Sequence, residues 1–140
     1  MCLSKVERIY KGTSRKVRKG YKIFRCYDER LVSLFSTIGQ VLPEDLWLDE
    51  RDYRVLFDLD KLEIADGTSY PVGWHILVSR EDAIDLAFSI RFGKGWDEDC
   101  SLVVSEVYCK GLLAKGVENN RAVEVYRYIK ISENAVWTAS

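Results

Sequence analysis

Histidine is almost absent from this sequence, and its scarcity excludes several kinds of catalytic site. The chain of 140 residues has one histidine, His75, which is followed by Ile76 and Leu77. A phosphoesterase with two His-x-Ser/Thr motifs needs one histidine as general base and another as general acid. Neither a Walker loop nor a G-x-G-x-x-G motif occurs, because Gly93-Lys94-Gly95 is too short to be either. We therefore expect no enzymatic activity and no cofactor.

Cysteine occurs without the spacing of a metal site. The four cysteines, Cys2, Cys26, Cys100 and Cys109, include no C-x-x-C pair. Together with one histidine they do not supply the ligand set that zinc requires, so no metal is expected. We interpret them as reduced thiols of a cytosolic protein, with a disulfide between Cys100 and Cys109 as the alternative.

Long hydrophobic runs and linkers are also missing. No stretch approaches the roughly 18 consecutive apolar residues of a membrane span. The start, Met1 to Arg8, is charged and lacks the apolar core of a signal peptide. Only two prolines occur, Pro43 and Pro71, and there is no internal repeat or low-complexity tract. We predict a cytoplasmic protein without a membrane segment, in which residues 1–140 form a single domain.

The hydrophobic pattern predicts an α+β domain, with a mostly antiparallel sheet packed with one main helix at about residues 80–92. Ser79 is the expected N-cap of this helix, because acids follow in the first turn, and Gly93 ends it. Ala83, Ile84, Ala87, Phe88 and Arg91 follow at helical spacing, and the apolar stripe is expected to pack on the sheet. The predicted strands are Gly20 to Tyr27, Arg30 to Ser36, Tyr53 to Asp60, Gly73 to Val78, Leu102 to Cys109 and Ala122 to Ile131.

Turns and irregular segments are predicted between these strands. Asp28-Glu29 closes a hairpin, residues 65–69 supply a turn, and Glu118-Asn119-Asn120 is a strong turn signal. Residues 42–47 suit a loop or a single helical turn. Gly111 to Gly116 suits a bent strand or a bulge.

Charge is distributed unevenly along the chain. The first 26 residues hold one acid, Glu7, and nine basic residues: Lys5, Arg8, Lys11, Arg15, Lys16, Arg18, Lys19, Lys22 and Arg25. Acids dominate from Glu44 to Asp66. Such a dipolar surface steers an anionic ligand to one pole or pairs two subunits head to tail, and solvated local ion pairs are the simpler interpretation.

Basic residues interleave with aromatic ones in two places, near Tyr21–Tyr27 and Tyr126–Lys130. A ring that stacks on a base beside a cation that binds phosphate is typical of nucleotide-binding surfaces, although ordinary amphipathic strands share this composition. The dense basic cluster Arg15 to Lys19 fits a phosphorylated ligand or a solvated turn. The candidate ligand-binding residues are Lys22, Arg25, Trp74, His75, Arg91 and Arg127. For Trp74 and His75 the alternative is a core tryptophan beside a hydrogen-bonded histidine.

The order of short segments along the chain resembles a known group. These segments are Met1-Cys2-Leu3 with the basic stretch, Gly20 to Phe24, Tyr70 to Ile76, Glu81 to Ala83, Val103 to Val107 and Val123 to Val125. The chain resembles small phage-encoded anti-defence proteins, most closely the Thoeris anti-defence group that sequesters cyclic ADP-ribose signals. The resemblance implies a homo-oligomer that encloses a cyclic nucleotide without turnover, in the cytoplasm of an infected bacterial host cell.

Two other classes of function remain open. A phage inhibitor of a host defence nuclease or another host protein would use the acidic residues between 44 and 66 to imitate phosphate charge. Neutral amides at Asp49, Glu50 and Asp52 would abolish that inhibition and spare ligand sequestration. An ADP-ribosyl-transfer enzyme would need a catalytic glutamate, for which Glu106 and Glu124 are the candidates.

Overall fold

The computed structural model describes residues 3–33, 41–54, 60–96 and 100–139. Within these ranges the chain is mostly antiparallel sheet with one α-helix, which confirms the predicted class in its main features. A short 3-10 helix spans Glu50–Asp52. The other elements, in chain order, are β1 (Lys5–Ile9), β2 (Arg18–Tyr27), β3 (Arg30–Ser33), β4 (Trp47–Asp49), β5 (Lys61–Glu63), β6 (Ser69–Pro71), β7 (Trp74–Leu77), α1 (Arg80–Arg91), β8 (Ser101–Glu118) and β9 (Arg121–Ala139).

A long hairpin of β8 and β9 dominates the sheet. The two strands have 18 and 19 residues and turn at Asn119 and Asn120, both with positive φ (47° and 66°). Asparagine tolerates this left-handed conformation, which two-residue hairpin turns require. The strands predicted at Leu102 to Cys109 and Ala122 to Ile131 are shorter than β8 and β9. The segment from Gly111 to Gly116 bends but stays paired with β9, so β8 continues through it. A register shift between Leu112 and Ala114 and the positive φ of Gly111 (73°) produce the bend.

The strand pairings close into a ring. Strand β8 pairs with β2 and β9, β9 pairs with β7, and β7 reaches β2 through Tyr21 and Leu77. Three further strands extend the sheet: β1 pairs with β8, β3 pairs with β2, and β4 pairs with β9. Glycine at residue 20 allows β2 and β7 to approach this closely, since a Cβ there would overlap Cγ2 of Ile76.

Two apolar clusters form the core. One includes Ile23, Val104 and Val125 together with Ala83 and Ala87 of α1. The other is centred on Phe24, Trp74, Ile76, Val107, Tyr126, Ile129 and Ile131. The alternation of β2 explains the division, because Ile23 and Phe24 are neighbours in sequence and point to opposite faces.

Several local predictions are confirmed. Two need correction, namely the end of the irregular segment at residues 42–47 and the placement of Phe88. The Asp28-Glu29 turn joins β2 to β3, and residues 65–67 form the expected turn. Residues 42–46 are irregular, and Trp47 already belongs to β4. The run predicted as a strand from Tyr53 falls largely outside the described residues, as do residues 34–36 of the second hairpin strand. In the helical stripe Phe88 is wrongly placed, because it is 56% exposed and stacks on Phe92 with ring centroids 4.6 Å apart.

The start of α1 gives a testable expectation. Ser79 Oγ accepts a hydrogen bond from the backbone N–H of Asp82 (3.3 Å), which confirms the predicted cap. We expect Ser79→Ala to lower the free energy of unfolding by about 1 kcal/mol, because one orphan N–H loses its acceptor. Ser89→Ala in the same helix is the control, since the Ser89 hydroxyl donates to the carbonyl of Asp85 on the exposed surface. Equal losses in urea unfolding of the two variants would contradict the assignment.

Candidate ligand-binding site

Three of the predicted ligand residues meet inside the fold. Lys22 of β2 donates from Nζ to the carbonyl oxygen of His75 in β7 (3.1 Å). The same ammonium lies 5.8 Å from the centroid of the Trp74 ring. Trp74 and His75 are only 6% and 8% exposed. This cluster therefore fastens β2 to β7.

The hydrogen bonds of His75 define its tautomer. The Tyr70 hydroxyl lies 2.8 Å from Nε2 of His75, and it accepts a bond from the backbone N–H of Leu3 (3.1 Å). Nδ1 of His75 lies 3.2 Å from the carbonyl oxygen of Gly73. A carbonyl only accepts, so Nδ1 carries the proton and the Tyr70 hydroxyl donates to Nε2. Burial, with a smaller effect from the Lys22 charge, lowers the pKa of His75 to about 3.

Burial also acts on Lys22, whose pKa falls to about 8. The indole N–H of Trp74 donates to the carbonyl of Leu48 (3.1 Å) and so ties β7 to β4. Trp74 and His75 thus match the alternative interpretation, a core tryptophan and a hydrogen-bonded histidine, more closely than an open platform for a base. Their role in ligand binding stays a prediction.

The three predicted arginines lie on separate elements. The Arg25 guanidinium lies 5.9 Å from the Tyr27 ring in β2, and that of Arg91 lies 5.2 Å from the Phe92 ring beyond α1. Arg127 of β9 reaches Gly12, where an added Cβ would lie 3.5 Å from its Nη2. The six predicted residues therefore do not form one site.

A pocket of about 250 Å³ opens beside Arg127, between the segment that precedes β2 and the bend of the long hairpin. Its walls combine cations, small polar residues and apolar surface: Tyr10, Lys11, Gly12, Thr13, Ser14, Lys16, Arg18, Leu112 and Tyr126. We call this the basic pocket. The buried side chains Leu112 and Tyr126 contribute apolar surface, and the exposed Lys11 and Lys16 contribute positive charge.

Backbone hydrogen bonds hold the loop of the basic pocket in place. The N–H of Tyr10 donates to the carbonyl of Leu113 (2.8 Å), and the N–H of Gly111 donates to the carbonyl of Ser14 (3.0 Å). Gly12 between them has φ of +75°, and a Cβ there would overlap Cδ2 of Leu113. Only glycine allows this close approach. The pocket wall is thus anchored at both ends to the bend of β8.

A buried carboxylate lies next to the basic pocket. Oε2 of Glu124 is 3.6 Å from the guanidinium of Arg18 and 3.8 Å from Nζ of Lys115. Burial, and then the Glu124 charge, raise the pKa of Tyr126, so its hydroxyl stays protonated. Glu124 offsets part of the charge of Arg18, whereas Lys11 and Lys16 form no ion pair with the described residues.

The sequence indicated only part of this pocket. The cluster Arg15 to Lys19, interpreted as a site for a phosphorylated ligand or as a solvated turn, supplies two of its residues, Lys16 and Arg18. The contribution of Leu112 was missed, because it depends on a bulge that brings β8 under the loop. Gly12-Thr13-Ser14, a run of small polar residues between cations, is the signal in the sequence that marks the loop.

Three acids of the acidic segment, Asp49, Glu50 and Asp60, are paired with arginines of the same segment. Nη2 of Arg51 lies 2.6 Å from Asp49, and Nη2 of Arg54 lies 2.6 Å from Glu50. Arg54 also bonds Asp60 at 3.3 Å. These contacts agree with the interpretation as local ion pairs. Glu106, a candidate catalytic residue, lies 3.6 Å from Nζ of Lys19.

The cysteines and acids form no metal site in the part of the chain that is described. Among those residues no three of His, Cys, Asp or Glu lie close enough together to hold a metal ion. Cys26 and Cys109 are thiols, so the alternative disulfide between Cys100 and Cys109 does not form. No helix in the described ranges has the length and hydrophobicity that crossing a bilayer requires. No protein-family model, curated protein or solved structure matches this chain.

Proposed function

We propose that this protein binds a phosphorylated, nucleotide-type ligand in the basic pocket and holds it without turnover. The observation that carries the proposal is the combination of Lys11, Lys16 and Arg18 with the apolar surface of Leu112 and Tyr126 in one preformed pocket. Cations and hydroxyls recognise phosphate oxygens, while a ring system needs an apolar wall. The pocket offers both kinds of contact within one cavity.

The size of the pocket favours a ligand shared between two copies of the chain. Its volume of about 250 Å³ is slightly below the range of roughly 300–1,000 Å³ that encloses a drug-sized molecule. A pocket of this volume would enclose only part of a cyclic ADP-ribose molecule, and the rest would protrude. A homo-oligomer in which a second copy covers the protruding part would sequester such a cyclic nucleotide signal. This is the arrangement that the resemblance to phage anti-defence proteins implies.

The carboxylates near the pocket support binding rather than chemistry. Glu124 is held by Arg18 and Lys115, and Glu106 is held by Lys19. Transfer of an ADP-ribosyl group through either residue would first require these ion pairs to open.

Thermal shift with cyclic ADP-ribose isomers, cyclic dinucleotides and NAD tests the proposal. Binding to the folded state raises the melting temperature by mass action. We expect a shift with at least one cyclic nucleotide and recovery of the ligand unchanged. Recovery of a cleaved ligand would support the enzyme instead, and no shift with any nucleotide would contradict the proposal.

The double variant Lys16→Gln/Arg18→Gln locates the site. We expect its affinity for that nucleotide to fall about tenfold or more, because two charge-assisted contacts to phosphate are lost. Lys61→Gln/Lys94→Gln removes the same charge from exposed positions outside the pocket and serves as the control. Equal affinity of the two double variants by calorimetric titration would rule out the basic pocket.

The second candidate function is inhibition of a host protein that binds to an acidic surface of this chain. One observation favours it. The neighbouring acids Asp45 and Glu44 raise the pKa of Glu133, so three carboxylates crowd together. Amides at Glu44, Asp45 and Glu133 test this surface better than the paired Asp49 and Glu50. Loss of host-protein binding in that triple variant, with nucleotide binding intact, would select the inhibitor.

A further inference from the structure

A second surface of aromatic and basic side chains lies on the outer part of the sheet, apart from the basic pocket. Directly paired residues share a face of the sheet. Lys130 of β9 pairs with Trp47 of β4 and with Tyr108 of β8, and Tyr108 pairs in turn with Lys19 of β2. One row of side chains therefore crosses four strands, with rings and ammonium groups in alternation.

The next row continues this pattern on β9 and β8, whereas its β4 member is the acid Asp49. Lys110 of β8 pairs with Tyr128 of β9, which makes Tyr128 the diagonal neighbour of both Trp47 and Tyr108. Diagonal neighbours in a sheet are about 7–8 Å apart. Nζ of Lys110 lies 4.2 Å from the centroid of the Trp47 ring and 5.5 Å from that of Tyr128. These contacts fix the orientation of the two rings.

The rings on this face are not needed to fill the core. Trp47 is 37% exposed and Tyr108 is 40% exposed, and neither belongs to the two apolar clusters. Two described acids of this face are paired, Asp49 with Arg51 and Glu106 with Lys19, and Asp45 lies at its border, where its N–H bonds the carbonyl of Ile131. An anionic partner with stackable rings therefore meets complementary charge and open aromatic surface.

We propose that this aromatic face, formed by Lys19, Trp47, Tyr108, Lys110, Tyr128 and Lys130, binds single-stranded nucleic acid. Every base has a π-face, so successive bases stack on the rings while the lysines neutralise the phosphates between them. A duplex does not offer this contact, because its bases are stacked on each other. The face is distinct from the basic pocket, whose lining shares none of these six residues.

Fluorescence anisotropy with a labelled oligothymidylate of about 12 nucleotides tests the proposal. We expect saturable binding and a slope of about −1.4 in a plot of log K against log salt, because Lys110 and Lys130 release counterions from a single strand, while Lys19 is paired with Glu106. Tyr108→Ala and Trp47→Ala should each weaken binding about tenfold, whereas Tyr108→Phe should bind like the native protein, because its ring still stacks. Lys130→Gln should reduce the slope by about 0.7.

Two control variants separate this face from other surfaces. Phe88→Ala removes an exposed ring of α1, and Lys16→Gln removes a cation of the basic pocket. Both should bind the oligonucleotide like the native protein. The proposal is overturned by absence of saturable binding at low salt, by unchanged binding of Tyr108→Ala, by equal affinity for a duplex of the same length, or by loss of binding in either control.

Discussion

Replacement of Lys22 by methionine is expected to raise the free energy of unfolding by about 2 kcal/mol at pH 7. Burial lowers the pKa of Lys22 to about 8 from a usual value near 10.5. Below pH 8 the ammonium is charged in the folded protein, where desolvation makes it costly. Methionine has a similar length and removes this cost, while the carbonyl of His75 loses one donor at 3.1 Å. The loss of that hydrogen bond offsets about 1 kcal/mol of the gain.

The sign of the pH dependence distinguishes this cause from a simple packing effect. Between pH 8 and about 10.5 the unfolded chain binds the proton of Lys22 and the folded protein does not. The stability of the native protein therefore rises with pH across this window relative to Lys22→Met. Urea unfolding at pH 7 and pH 10 should show a stability difference that shrinks at the higher pH.

An exposed lysine provides the control for this measurement. Lys94→Met, at an exposed position after α1, should change the stability by no more than about 0.5 kcal/mol at either pH. A difference between Lys22→Met and the native protein that stays constant from pH 7 to pH 10 would contradict a buried charge at Lys22.

The same lysine illustrates why the sequence predicts strands better than sites. Gly20 to Tyr27 alternates polar and apolar residues, so a period of two identifies the strand, and β2 occupies Arg18–Tyr27. Alternation alone does not reveal that β2 packs on both faces, with Ile23 in one apolar cluster and Phe24 in the other, because that depends on elements far along the chain. Lys22 was accordingly predicted to bind a ligand, which stays a prediction, and the fold places its ammonium, partly buried, beside the Trp74 ring.

Local signals located the turns and the helix because they depend on neighbouring residues only. Ser79 caps α1 through Asp82, three residues away, and Asn119-Asn120 adopts the positive φ that its residue types tolerate. The basic pocket needs contacts between residues 10–14 and 111–113, which are about a hundred positions apart in the sequence. Its cations were predictable from the charge cluster, and its apolar wall was not.

Acid is expected to destabilise this protein through His75 before most carboxylates titrate. The pKa of His75 is lowered to about 3 from 6.5, so between these values the unfolded chain binds a proton that the folded protein does not. The free energy of unfolding then falls as the pH falls, by about 1.4 kcal/mol per pH unit, or about 2 kcal/mol from pH 6.5 to pH 5. Urea unfolding of the native protein and of His75→Phe at both pH values measures this loss. The variant should lack this part of the pH dependence, and an equal slope in both proteins would refute a buried neutral histidine.

Removal of the Tyr70 hydroxyl should destabilise the same network at any pH. We expect Tyr70→Phe to cost about 3 kcal/mol, because Nε2 of His75 loses its donor and the N–H of Leu3 loses its acceptor inside the core. Tyr108→Phe is the matched control, since it removes a hydroxyl from a 40% exposed ring and should change stability by less than about 0.5 kcal/mol. The double variant Tyr70→Phe/His75→Phe should lose less than the sum of the single variants, because the polar pair is removed together. Strictly additive losses would mean that the Tyr70 hydroxyl and His75 do not depend on each other.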